Sequence, residues 1–208
     1  MKAQLDLLVT WWPFLLGGFG LNILIAVVAT LIGTFLGSLL ALMQFSTRRT
    51  VKTLSNAISA FSRNVPSLVL MFYLATLIPN EISISQTYIL EVPKWVKAAI
   101  ALSASPLGFT SWNLHASMLI WASGNKRAAL IFIPNWLSAF LMTLLATSTA
   151  SLVGVSELVF RCNAVIAATS SGNTIVIYCF ASLVFVTFCL LFSWTIDKFK
   201  TQLLIHFK

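Results

Sequence analysis

Few residues of this chain have the chemistry to act. Cys162, Cys179 and Cys189 stand apart with no CxxC spacing, and the last two lie inside an apolar run, which favours small apolar fillers over a metal or redox role. His115 is a lone imidazole in an apolar stretch, a place that suits either a hydrogen-bonded packing residue or a ligand or proton relay. Glu157 follows Gly154, a helix stop, and can either cap the next helix or pair with Arg161 at i+4. Thr147, Ser148, Thr149 and Ser151 form a run of hydroxyls that can return to helix carbonyls. These residues make no catalytic constellation and no metal-ligand set. The pattern GxxxxGK[ST] is absent, so the chain is not expected to be an enzyme or to hold ATP itself.

The elements that must position these residues are apolar. Of 208 residues, 59% are hydrophobic and 9% charged, against about 45–50% and 25% in soluble domains. A soluble fold of this size cannot hide that much apolar surface, so lipid is the expected solvent. The net charge of +8 does not indicate nucleic acid, because the basic residues cluster between apolar runs, as a positive-inside bias requires. One domain over residues 1–208 is expected, all-α and integral to the membrane.

A crossing needs about 20 apolar residues. An interfacial helix is expected over Leu5–Leu16, where Trp11, Trp12 and Pro13 with Asp6 argue against a cleavable signal. Five spans follow: Leu21–Phe45, Ala57–Ile78, Ala98–Ala122 (interrupted by Pro106 and Gly108), Ala128–Val153 and Thr174–Ile196. If the loop after the first span is cytoplasmic, that side holds Arg48, Arg49, Lys52, Arg63, Lys126, Arg127, Lys198, Lys200 and Lys208. The other side holds Lys2, Lys94, Lys97 and Arg161. This bias predicts the N-terminus outside and the C-terminus inside. Gly33 and Gly37 make a small-xxx-small face for close helix approach, within the chain or with a partner. Pro66 sits near a span start, where its missing N–H is tolerated, and Arg63 before it suits an interfacial anchor.

Three strings go further than periodicity. They are Leu31-Ile32-Gly33-Thr34-Phe35-Leu36-Gly37 leading to Leu39–Met43, then Phe61-Ser62-Arg63-Asn64-Val65-Pro66-Ser67-Leu68-Val69, then Thr147–Leu158. In order and spacing they resemble the permease subunits of polar-amino-acid ABC importers, with LGxxLGxLLAL, FRNxPLLV and TSLxSxIGVxEL at matching depths. The resemblance covers most of the chain. It implies a type I importer permease fold in a bacterial inner membrane and a second permease subunit as partner. It also implies a cytoplasmic ABC ATPase that carries the ATP and Mg, and a periplasmic or extracellular solute-binding protein. On it, Asn113, His115, Thr147, Ser148, Thr149 and Ser151 are candidates for the translocation path.

The family's cytoplasmic coupling loop reads E-A-A-x-x-x-G, with L-P about a dozen residues on. Here Gly124, Lys126, Arg127, Ala128, Ala129 and Pro134 stand in that place. Arg127 replaces the acid, and four residues separate Ala129 from Pro134. Four helical residues rise only about 6 Å, too little for a helix that projects and returns. Trp112 and His115 also stand where the family has an acid and an arginine, and Ala146 where it often has a lysine. Two functions fit. One is a transport subunit for amino acids or similar small polar solutes, as the weakly coupled half of an asymmetric permease pair. The other is a non-transporting, permease-like scaffold or signalling subunit. Either would work with partners and not as a lone monomer.

Overall fold

A computed structural model describes residues 2–83, 89–169 and 171–206. Lys208, counted above in the charge bias, lies outside them. Helix α1 (Lys2–Met43) runs unbroken for 42 residues, about 63 Å at about 1.5 Å per residue, twice the thickness of bilayer hydrocarbon. The expected interfacial helix is therefore not a separate element. Residues 5–16 are the first part of α1, continuous through Pro13.

Helix α2 (Arg49–Asn64) returns alongside α1 and turns inside out relative to a soluble helix. Ser55, Ser59 and Ser62 are buried, while Leu54, Ile58 and Phe61 face outward. Small hydroxyl residues let helices approach closely in lipid, where apolar faces gain nothing from turning inward. Helix α3 (Ser67–Leu77) follows at a bend of 98°. The expected crossing 57–78 is thus broken. Pro66 disfavours helix at the preceding residue, and Val65 is extended, with φ −77 and ψ 127.

A hairpin of β1 (Glu81–Ser83) and β2 (Ile89–Glu91) leads to α4 (Lys94–Leu102) and α5 (Ala104–Ala122). The expected third span is divided at Ser103, which places Pro106 in the first turn of α5, where its missing N–H costs least. After a three-residue turn come α6 (Lys126–Leu130), α7 (Phe132–Ala146) and a 3₁₀ helix (Thr147–Val153). These three form one apolar stretch of 28 residues, Lys126–Val153. Then α8 (Leu158–Thr169) and the long α9 (Thr174–His206) close the chain.

Among the described residues, three helical stretches are long and apolar enough to cross a membrane, or four if α2 and α3 count as one bent span. The class is the expected all-α membrane one, with the second and third of the five spans broken. Helix α1 is the axis. Its middle packs on α3, α4 and the 3₁₀ helix around Ile25, Ala29, Met71 and Leu102. Its N-terminal third meets α8 and α9 around Leu15, Leu158 and Ile177, and Ala26 meets α7 and α9. Against α5, Gly33 faces Ser103–Leu107 and Gly37 faces Leu107–Ser111, so the two helices run parallel. A Cβ on Gly33 would stand 2.6 Å from the Ser103 carbonyl oxygen, just before α5, and one on Gly37 2.6 Å from the Leu107 carbonyl oxygen, which assigns this small-residue face to packing within the chain. Leu31, Phe35, Leu183, Leu190 and Leu191 are at least 60% exposed, as side chains against hydrocarbon would be.

Candidate functional site

The hydroxyl run and Glu157 meet at one end of the Lys126–Val153 stretch. Gly154, at φ +77, ends the 3₁₀ helix and turns the chain toward α8. Asn22 of α1, fully buried, donates its amide to Thr147 Oγ1 at 2.8 Å and to Glu157 Oε2 at 2.9 Å. Its Oδ1 accepts the Leu158 N–H at 3.1 Å. The Glu157 carboxylate accepts the Val159 and Phe160 N–H groups, each at 3.0 Å. The first turn of α8, which no backbone carbonyl can serve, is thus completed by two side chains. Glu157 lies in the connector outside the long spans. Burial pushes its carboxyl above the usual range, opposed by the Asn22 amide and then by the two N–H groups.

Of the two roles open to Glu157, the structure shows the cap. Arg161 turns away, its Nε donating to Ser156 O and its Nη1 to Phe14 O at 2.7 Å, with its guanidinium over the Phe14 ring. Gly17 and Gly18 make the room: a Cβ on Gly18 would stand 2.8 Å from Leu158 N. The hydroxyls of Thr147, Ser148, Thr149 and Ser151 each donate to a carbonyl three residues back. Thr147 is buried within the node, while Ser148 lines an open cleft with Leu145, Tyr178 and Ser182.

The other path candidates lie on α5. Asn113 donates to Phe109 O at 2.9 Å. His115 lies against Phe45, ring centroids 4.3 Å apart and the planes tilted by 42°, with its Nδ1 buried and without a partner among the described residues. Close by, Gln44 donates to Ser111, which donates to Ser59, joining α1, α5 and α2 through buried groups. Arg63 lies over the exposed ring of Trp112 at 4.7 Å. Asn113 and His115 are therefore not brought together with the Thr147–Ser151 run.

One feature escaped sequence reasoning. Ser105, Asn135 and Ser138 line an open cleft of about 360 Å³ between α5 and α7, with Phe109, Ala139 and Met142. Polar residues within apolar helices, here on one outward face, were the available signal.

At the far end of the stretch, α5 and α6 are joined by Ser123–Asn125 alone. Gly124 takes φ +93, and Asn125 Oδ1 caps α6 by accepting the Ala128 N–H at 3.1 Å. Lys126 and Arg127 are exposed, with the Lys126 ammonium 5.6 Å from the Trp121 ring centre. Ala129 and Pro134 are buried. No helix projects here, because α6 continues into α7.

No family model matches the chain, and no curated protein matches it. Among solved structures, the fold is similar to a crystal structure of an amino acid ABC transporter with histidines. The TM-score is 0.76 at 16% identity, covering 94% of this chain and 96% of that one. The likeness shows an ABC-permease-like membrane fold.

Proposed function

We propose that this chain is a transmembrane permease subunit of an ABC importer for amino acids or similar small polar solutes. The observation that carries the reading is the shared fold over 94% of the chain, joined to the three resemblant strings in their order along the sequence. The polar cleft of Ser105, Asn135 and Ser138 supports it. An Asn and two Ser facing outward from apolar helices belong against a second subunit or an aqueous path and not against lipid. ATP and Mg belong to a separate ATPase, and a solute-binding protein would deliver the cargo. The membrane is the bacterial inner one, with the Lys126 end inside.

The three-residue turn at Ser123–Asn125 supports the finer reading of an asymmetric pair. A lever must reach beyond the headgroups, and this turn has no length to do so. Motion driven by ATP would enter through the partner permease. The same turn favours the second reading, a permease-like scaffold that does not transport.

Purification from native membranes, with partners identified by mass spectrometry, tests the first reading. A second permease and an ATPase should co-purify, and the assembly should drive ATP-dependent uptake of a polar amino acid in liposomes. Co-purification without uptake selects the scaffold. A monodisperse single copy that transports alone sinks both.

A further inference from the structure

The Lys126 end carries a surface that the transport reading does not use. Between α5 and the start of α6–α7 lies an open cleft of about 240 Å³, lined almost wholly by apolar side chains, among them Leu114, Met118, Trp121, Leu130 and Ile133. Trp121, 46% exposed, carries the Lys126 ammonium over its ring, and Arg127 is exposed beside it. No Asp or Glu occurs anywhere between Glu91 and Glu157, so no acid of this segment answers the two cations.

Depth fixes what can. The stretch Lys126–Val153 has 28 residues, about 46 Å with about 1.5 Å per α-helical residue and about 2.0 Å for each residue of the 3₁₀ helix. That is close to the bilayer thickness with headgroups included, about 40–45 Å. With no projection beyond it, Lys126 and Arg127 lie in the headgroup layer, and the cleft opens just beneath them toward hydrocarbon. Paired Trp and Lys are the side chains that settle at such an interface.

We propose that this cleft and turn bind an anionic phospholipid. An acyl chain lies in the groove of Leu114, Met118 and Ile133, and the phosphate is held by Lys126 and Arg127. Apolar lining below and two exposed cations at the mouth complement the two halves of one such molecule. A soluble acidic partner would satisfy the cations and leave the groove empty. The inference requires only that this end lies at a membrane surface, so it stands or falls apart from transport.

The test uses the full chain in mixed micelles, titrated with phosphatidylglycerol or phosphatidylcholine bearing brominated acyl chains. Trp fluorescence quenching is the readout, and a Trp121→Phe variant assigns the signal to the cleft. Phosphatidylglycerol should bind at least tenfold more tightly than phosphatidylcholine. Each cation near an anionic surface is worth about a factor of five in affinity, so Lys126→Ala with Arg127→Ala should weaken phosphatidylglycerol binding roughly 25-fold. Phosphatidylcholine binding should not change, and Lys94→Ala at the opposite end should leave both unchanged. Equal affinity for the two lipids, or indifference to the double substitution, overturns the proposal. So does a photo-crosslinker at position 127 that labels an ATPase or a second copy in native membranes and no lipid.

Discussion

The two ends of the Lys126–Val153 stretch are built on opposite plans. At the Glu157 end, polar groups close on one another: Asn22 serves Thr147, Glu157 and Leu158 at once, and all four side chains or their backbones are buried. At the Lys126 end, the cations, Trp121 and the turn face outward. Buried polar groups in low dielectric are costly to orphan, so the closed end behaves as a joint that holds α1, the 3₁₀ helix and α8 in one arrangement. Exposed charges cost little to change. The open end is therefore free of the constraint that fixes the closed one.

The sharpest way to break this contrast is Asn22→Ala. It strands the buried Leu158 N–H and removes a donor from the Glu157 carboxylate. The loss should be about 3 kcal/mol, read as a clear fall in the thermal midpoint of the purified protein in detergent. A loss near zero would mean that the node is not a joint. A paired glycine test is gentler. Gly18→Ala puts a Cβ 2.8 Å from Leu158 N and should cost about 1–3 kcal/mol by overpacking. Gly20 has nothing within 4 Å, so Gly20→Ala should be neutral or stabilise by up to about 1 kcal/mol through helix propensity. Equal effects would show that the contact between α1 and α8 is loose. The smallest change is expected for Lys126→Ala with Arg127→Ala. Stability should stay within about 0.5 kcal/mol, and ATPase stimulation in the assembled complex should be nearly unaltered. A large loss of stimulation would make this short turn a true coupling element.

Much of this was legible in the residues because it is local. Composition demands lipid as solvent. Gly124 and Gly154 mark the turns that take positive φ among the described residues, whereas Pro66 reads in the sequence as tolerated inside one span and instead breaks it. Gly33 and Gly37 announced close approach, although their spacing said nothing of whether α5 or another chain would approach. Breaks were underestimated for a physical reason. A hydropathy window averages over Val65–Pro66 and over Ser103, whereas two extended residues, Val65 and Pro66, redirect the chain by 98°.

The Ser105–Asn135–Ser138 cleft was signalled only by polar residues within apolar helices, and the Asn22 node was beyond reach of the sequence. Asn22 reads in the sequence as one polar residue early in an apolar run, and its partners lie 125 and 135 residues away. Thr147–Ser151 had the same hydroxyls whichever way they turned, and only the packing of α1 made Thr147 a buried acceptor. The sequence by itself determined the solvent, the helices and their stops, because these follow from transfer energies and backbone sterics within a few residues. The tertiary structure alone decided which polar groups close on one another and which stay open, because that depends on which helix faces arrive at the same place.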